Sequence, residues 1–259
     1  KFEYNSSTGE FTPVYYRVDL KQTEFGTGDN VLSFDTDLGT ITYRYNDADL
    51  SNRLSNNSDI SADTVTGKYV NLAASSDGGA IYNTGTIGDI VADFVGNKTA
   101  LSYAQGGAIF NQGNINGHIS GDFIGNVSSS NGGAIRNYNW NVENVAIEKI
   151  TGNFINNSAY RGGAISNDNA SIGDITGHFI NNTATASSGY GGAIVQIGNA
   201  VMGNITGDFI NNSARGHGGA IYNSDSMIGD IKGDFIGNAG TSIVYNTGTI
   251  GDITGDFIN

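Results

Sequence analysis

The residues best suited to chemistry sit in the longest insertion of the repeat region, between Ile135 and Ile150: Arg136, Tyr138, Trp140, Glu143 and Glu148. Trp140 is the only tryptophan. A guanidinium, two aromatic rings and carboxylates close together suit contact with a glycan or a partner protein, as loops carried on rigid scaffolds provide. The plainer reading packs Trp140 against its own scaffold. Arg136, Glu143 and Glu148 are also the residues to test for glycosidic cleavage, which requires paired acids at a workable separation. Further acids, Asp208, Asp234 and Asp256, with Asp230 and Asp252 in a parallel row, recur at fixed places along the chain. That recurrence describes a solvated face. If the rows stack, like charges face one another and calcium becomes a candidate ligand. His118, His178 and His217 share no spacing, whereas metal ligands converge at about 2 Å.

Stepping outward from these residues, the chain after residue 60 is an internal repeat. Phe recurs at positions 94, 123, 154, 179, 209, 235 and 257, a mean period of about 27 residues. Four residues before each stands an Ile, from Ile90 and Ile119 to Ile253, with Ala92 or a Gly midway. Large, small, large at alternate positions share one face of a strand, while the Thr and Asp between them face water. An aliphatic residue follows each Phe directly, from Val95 to Ile258. Strict alternation sends one of those two rows outward, and a corner between them would bury both.

The second motif is Gly-Gly-Ala-Ile, at residues 78–81, 106–109, 132–135, 162–165, 191–194 and 218–221, with a degraded copy at 241–244. Two residues later stands Asn83, Asn111, Asn137, Asn167, Gln196, Asn223 or Asn246. A second amide row, Asn97, Asn126, Asn157, Asn182, Asn212 and Asn238, follows Phe by three. Such rows imply units stacked in register. From block Ile (or Val244) to the Ile before Phe the separations are 9, 10, 15, 10, 11, 10 and 9, so length changes are confined to loops. Short strands, abundant Gly and no 3.6-residue pattern describe one rung of a parallel β-helix. Burying three large apolar side chains yields roughly 5–9 kcal/mol, less than the cost of ordering about 27 backbones at roughly 1–2 kcal/mol each. A rung is therefore stable only in a stack, rising roughly 4.8 Å per turn.

The 259 residues carry 39 Gly, no Cys and a formal charge of −13. An acidic surface repels nucleic acid and anionic membranes. No apolar run reaches the roughly 18 residues that span a bilayer. Absence of Cys excludes disulfides and thiolate metal sites, and fits a bacterial surface protein as well as a cytosolic one. The Asn-x-Ser/Thr triplets, such as Asn97-Lys98-Thr99, read as turn chemistry before glycosylation. Residues 1–60 differ from the rest. Val14, Tyr16, Val18 and Leu20 alternate with polar residues, Thr40–Tyr45 has strand composition, and the segment reads as an all-β cap on the first rung. Tyr69, in a degraded copy of the Phe motif, begins the helix proper within residues 61–259. The sequence stops inside a repeat at Asp256–Asn259, so the stack is expected to continue or to meet another molecule.

The alternation of Gly-Gly-Ala-Ile (Gly218 to Ile221) with Phe-x-x-Asn (Phe209 to Asn212) resembles the paired repeats of the chlamydial polymorphic membrane proteins and related bacterial autotransporter passengers. The resemblance covers roughly residues 66–259. It implies a right-handed parallel β-helix on a bacterial cell surface, commonly serving adhesion, with an outer-membrane β-barrel beyond it.

Together these readings predict an all-β protein: an N-terminal β cap and a right-handed parallel β-helix, or solenoid, of about seven rungs. They predict an extracellular or bacterial cell-surface adhesin without catalytic activity and without a resident cofactor, calcium being the one candidate. Its partner would be a surface protein or glycan of a host or neighbouring cell, or a second copy, contacted through Arg136, Tyr138, Trp140 and Glu143. A filament subunit stacking end to end is the second reading, and a polysaccharide-active β-helix enzyme the third. Repeats specify shape before ligand.

Overall fold

Ile, a small residue and Phe at alternate positions suit a strand with one buried face, and the computed structural model places every copy on a parallel ladder. The structure describes residues 64–140 and 145–258, and before them the strands Phe2–Asn5, Glu10–Pro13, Lys21–Phe25, Val31–Thr36, Gly39–Arg44 and Leu54–Ser55. The chain divides into two units, Lys1–Arg44 and Tyr45–Asn259. In the first, Phe2–Asn5 pairs antiparallel with Glu10–Pro13, and Lys21–Phe25, Val31–Thr36 and Gly39–Arg44 form an antiparallel three-stranded sheet. Of the strand composition at Thr40–Tyr45, Thr40–Arg44 falls in the last of these, whereas Tyr45 and Val14–Leu20 lie outside the described residues.

The second unit is a β-solenoid. One face, the Phe face, carries the Ile and Phe strands; Phe94 pairs in register with Phe123, and the ladder runs on through Phe154, Phe179, Phe209 and Phe235 to Phe257. Tyr69 takes the equivalent place before Phe94. Successive rings stack with centroids 4.6–5.1 Å apart and planes within 10°. That distance is the strand spacing, so one turn of chain climbs one strand. A second face, the block face, is an eight-stranded parallel sheet in which Leu54, the block Ile residues from Ile81 to Ile221, and Val244 form a column, bounding about seven turns. The third face is narrow. Its buried column is Ala74, Thr99, Ser128, Ala159, Ala184 and Ala214, where only small side chains fit between the other two sheets. Among the described residues there is no helix, hence none long and apolar enough to cross a membrane.

The interior also holds an apolar column that the repeat spacing does not single out: Ile87, Ile115, Ile147, Ile172, Met202 and Ile228. Each rung from Ile81 to Phe235 thus buries at least four large side chains rather than three. A second departure concerns the strand itself. One unbroken strand spans the motif at Thr64–Val70, the degraded copy with Gly67, and at Asp89–Val95, the copy with Ala92. Elsewhere the strand breaks at the Gly, whose φ of 148–159° is outside the range of an L residue. A Cβ there would stand 1.9–2.1 Å from a carbonyl oxygen of the neighbouring rung. The residue after Phe sits at the corner, buried at Ile155 and Ile180 and half-buried at Val95, Ile124, Ile210 and Ile236. The next position takes a left-handed φ of 52–65°, and only Gly or Asn stands there: Gly96, Gly125, Asn156, Asn181, Asn211 and Gly237.

In the block, the two glycines answer different needs. The first turns the chain with φ of 62–70°; a Cβ on the second would collide with backbone of the adjacent rung, in most copies 1.9–2.1 Å from a glycine carbonyl oxygen. Close approach of rungs at this corner is what lets the block strand pair directly with its neighbours.

Candidate functional site

Much of the repeated polar chemistry is internal support. Asn97, Asn126, Asn157, Asn182 and Asn212 each donate from Nδ2 to Oδ1 of the next amide at 2.9–3.0 Å, and also to a carbonyl of the Tyr69 and Phe column at 2.8–2.9 Å. The same Oδ1 accepts the backbone N–H of the preceding ladder residue at 2.9–3.0 Å. These side chains are fully buried yet paired, as burial demands. Asn97 and Asn126 head Asn-x-Ser/Thr triplets but lie inside the ladder.

The acid rows have an equally local role. Oδ1 of Asp93 accepts the backbone N–H of Asp122, Asp122 that of Asn153, Asp208 that of Asp234, and Asp234 that of Asp256, at 2.8–3.0 Å. In the parallel row Asp174, Asn204 and Asp230 do the same for Asn204, Asp230 and Asp252. The breaks in the strand free an N–H, and the side chain one rung below receives it. His178 replaces an acid in this row: its Nδ1 receives the N–H of Asp208 at 3.1 Å and lies 3.2 Å from that residue's carboxylate. His118 and His217 occupy other columns. Among the described residues no three His, Asp or Glu side chains are grouped to hold a metal ion.

The insertion residues divide by position. Arg136 is in the block strand Ile135–Tyr138 and only 3% exposed. Its guanidinium donates to Ser166 Oγ at 2.7 Å and to Asp168 Oδ2 at 2.8 Å in the next rung, leaving Nε without a partner. Burial lowers its pKa from the ordinary arginine value, and Asp168 opposes that shift. Tyr138 stacks on it, the guanidinium carbon 4.5 Å from the ring centroid. Trp140 stands edge-on to Tyr138 at 6.2 Å and is 78% exposed. Arg136 therefore supports the aromatic pair from beneath. Glu143 lies outside the described residues. Glu148 is exposed on the Phe face, a different sheet from Arg136.

Sequence reasoning missed a second group on the block face. Tyr190 stacks on Tyr222 with centroids 4.7 Å apart, and Tyr222 on Tyr245 at 4.8 Å. The His217 ring lies 4.7 Å from Tyr245. Arg161 closes the row, its guanidinium carbon 5.2 Å from the Tyr190 ring and 5.8 Å from that of Tyr160. Burial raises the Tyr222 phenol above its ordinary pKa. The signal lay in composition by face. Of the described tyrosines beyond residue 60, all but Tyr69 stand on block strands or in the turns leading to them.

Residues 207–224 match the Chlamydia polymorphic membrane protein repeat. Neither the curated proteins nor the solved structures yield a match to the chain. The matched stretch runs from the strand break at Gly207 through Phe209 and Asn212 to the Gly218–Ile221 block and its strand, so it contains both motifs and one passage from Phe face to block face. A repeat of that family within a β-solenoid fits a surface-exposed autotransporter passenger.

Proposed function

We propose that this chain is an adhesin-like scaffold of the bacterial cell surface, non-enzymatic, which binds a surface protein or glycan of another cell, or a second copy of itself. The carrying observation is the exposed Trp140, braced by Tyr138 over the buried Arg136 and its partner Asp168. A large aromatic ring held outward on a rigid base loses little freedom on binding, and such residues dominate contact energetics. Its support is rigid because both Arg136 hydrogen bonds reach the next rung. The matched repeat supports the setting.

The purified chain should bind cells in an adhesion assay, and Trp140→Ala should reduce that binding about tenfold with unchanged melting, a change worth roughly 1.4 kcal/mol. Full adhesion by Trp140→Ala would remove this contact from the proposal. Concentration-dependent growth of particles in ultracentrifugation, with no cell binding, would favour the filament reading instead. Calcium is not required in this reading, since Asp208, Asp230 and Asp234 already accept a backbone N–H from the next rung; a melting temperature that rises with calcium would reassign those rows as a cation site.

A further inference from the structure

We infer that Arg161, with Tyr160, Tyr190, Tyr222, His217 and Tyr245, forms a second binding site that takes an acidic saccharide of the uronate type. The inference deepens the adhesin reading by naming a partner chemistry, and its site lies apart from Trp140 in sequence and in rung.

The starting point is a cation left unpaired. The chain has 25 acidic residues against 12 Lys and Arg, yet Arg161 makes no ion pair or side-chain hydrogen bond among the described residues. Its Nε is buried without an acceptor. Arg136, one rung before, shares that orphaned Nε but has its terminal nitrogens held internally, by a carboxylate at 2.8 Å and a hydroxyl at 2.7 Å, which those of Arg161 are not. The terminal nitrogens of Arg161, which no side chain or carbonyl among the described residues takes up, are the donors left for a ligand carboxylate. The planar fork of Arg161 suits a carboxylate, which it can bind with two parallel hydrogen bonds.

The flanking rings define the rest of the ligand. Tyr160 is 47% exposed beside the guanidinium. Tyr190, Tyr222 and Tyr245 then rise at one ring per rung, stacked face to face, so their free surface is a row of ring edges ending near His217. An extended polyhydroxylated chain laid along the solenoid axis meets a phenol or imidazole at each step while its carboxylate meets Arg161. A peptide finds less here. Backbone N–H and C=O groups of the block strands Ile165–Asp168, Ile194–Ile197 and Ile221–Ser224 are paired with the rungs on both sides, so no strand can be added among them.

The test is calorimetry on the full chain with two probes, an oligogalacturonate and its methyl ester, which keeps the sugar and removes the negative charge. Binding of the acid at least about tenfold tighter than of the ester is expected, and it requires no variant. Arg161→Gln should weaken the acid by about ten- to a hundredfold without changing ester binding, and Arg161→Lys should recover part of the loss. Equal binding of acid and ester, no binding of either, or an Arg161→Gln variant that binds as well as the parent overturns the inference. So does polyglutamate binding as tightly through Arg161, which would make the site one for acidic peptides. If Arg161→Gln adheres normally to cells and the saccharide result is negative, this site fails while the adhesin reading stands. Saccharide binding by a chain that adheres to no cell leaves the site and removes that reading.

Discussion

The Phe face and the block face are built from the same repeat, yet their outward columns follow different rules. On the Phe face the two outward columns between Ile and Phe are mostly Thr and Asp, and the stacked acids receive backbone N–H groups from the neighbouring rung. On the block face the column after the block Ile reads Tyr82, Phe110, Arg136, Ser166, Val195, Tyr222 and Tyr245, five residue types in seven rungs, covered in the middle and half-buried at the tyrosines. Arg136, Arg161 and Arg215, the arginines of the described solenoid, all stand on this side, whereas Lys68, Lys149 and Lys232 are on the other. Uniform columns are those the stack itself requires. A column free to vary has no such duty, and recognition chemistry can be placed there at little cost to the fold.

Two substitutions measure how much the uniform side carries. Phe154 is fully buried between Phe123 and Phe179, at 4.9 Å from each. Phe154→Ala should destabilise the solenoid by about 3–5 kcal/mol in chemical denaturation, by lost transfer energy plus the cavity left in a rigid stack. A loss below about 1 kcal/mol would show that neighbouring rungs collapse into the space and that the column is less constrained than its regularity suggests. Asn182→Ala comes next, at about 2–3 kcal/mol. It removes the acceptor for Asn157 Nδ2 and for its backbone N–H, and the donors to Phe154 O and Asn212 Oδ1. Unpaired buried groups cost about 1–3 kcal/mol each, part of which water entering the vacated space can relieve.

The contrast between faces also explains which features were legible in the sequence. The Phe, Ile and block Ile columns were, because fixed spacing inside a rung translates directly into register between rungs. The column from Ile87 to Ile228 was not, since it is separated from the block Ile by a loop of varying length. Its other spacing was the available signal: three residues before the next Ile in most rungs, and four at Ile115, where the ladder has a register shift. The small third face was hidden for another reason, because Ala159 or Ser128 carries little hydrophobic signal in sequence. Arg136 was legible as a residue of interest, but its burial was not: Ser166 and Asp168 reach it only through the pairing of successive rungs. Arg161, Tyr190 and Tyr222 escaped because turns of unequal length bring them together, so no constant offset marks the group.

The sharpest probe of the difference is a fault in the amide ladder of the block face. Asn83, Asn111, Asn137 and Asn167 pass a side-chain hydrogen bond to the next amide at 2.7–2.9 Å, ending on Gln196 Oε1. Gln196 is one methylene longer, and its Nε2 reaches the carbonyl of Met227 at 3.0 Å instead of Asn223. Asn223 Oδ1 is left buried without a donor, although Asn223 itself continues the ladder to Asn246 at 2.7 Å. An Asn at this place can make both bonds, as Asn137 does with Asn167 and with the carbonyl of Ser171. Gln196→Asn should therefore stabilise the solenoid, because satisfying a buried acceptor is worth about 1–3 kcal/mol and the lost methylene costs about 0.8 kcal/mol. The net gain expected is about 1 kcal/mol, read as a higher urea midpoint at unchanged slope. Gln196→Leu, which removes the acceptor that Asn167 Nδ2 shares with two carbonyls and the donor to Met227 O while leaving Asn223 Oδ1 unpaired, should move the midpoint down. If Gln196→Asn also lowers it, the extra methylene fills space that matters more than the missing bond, and ladder continuity is not what sets the identity of this column.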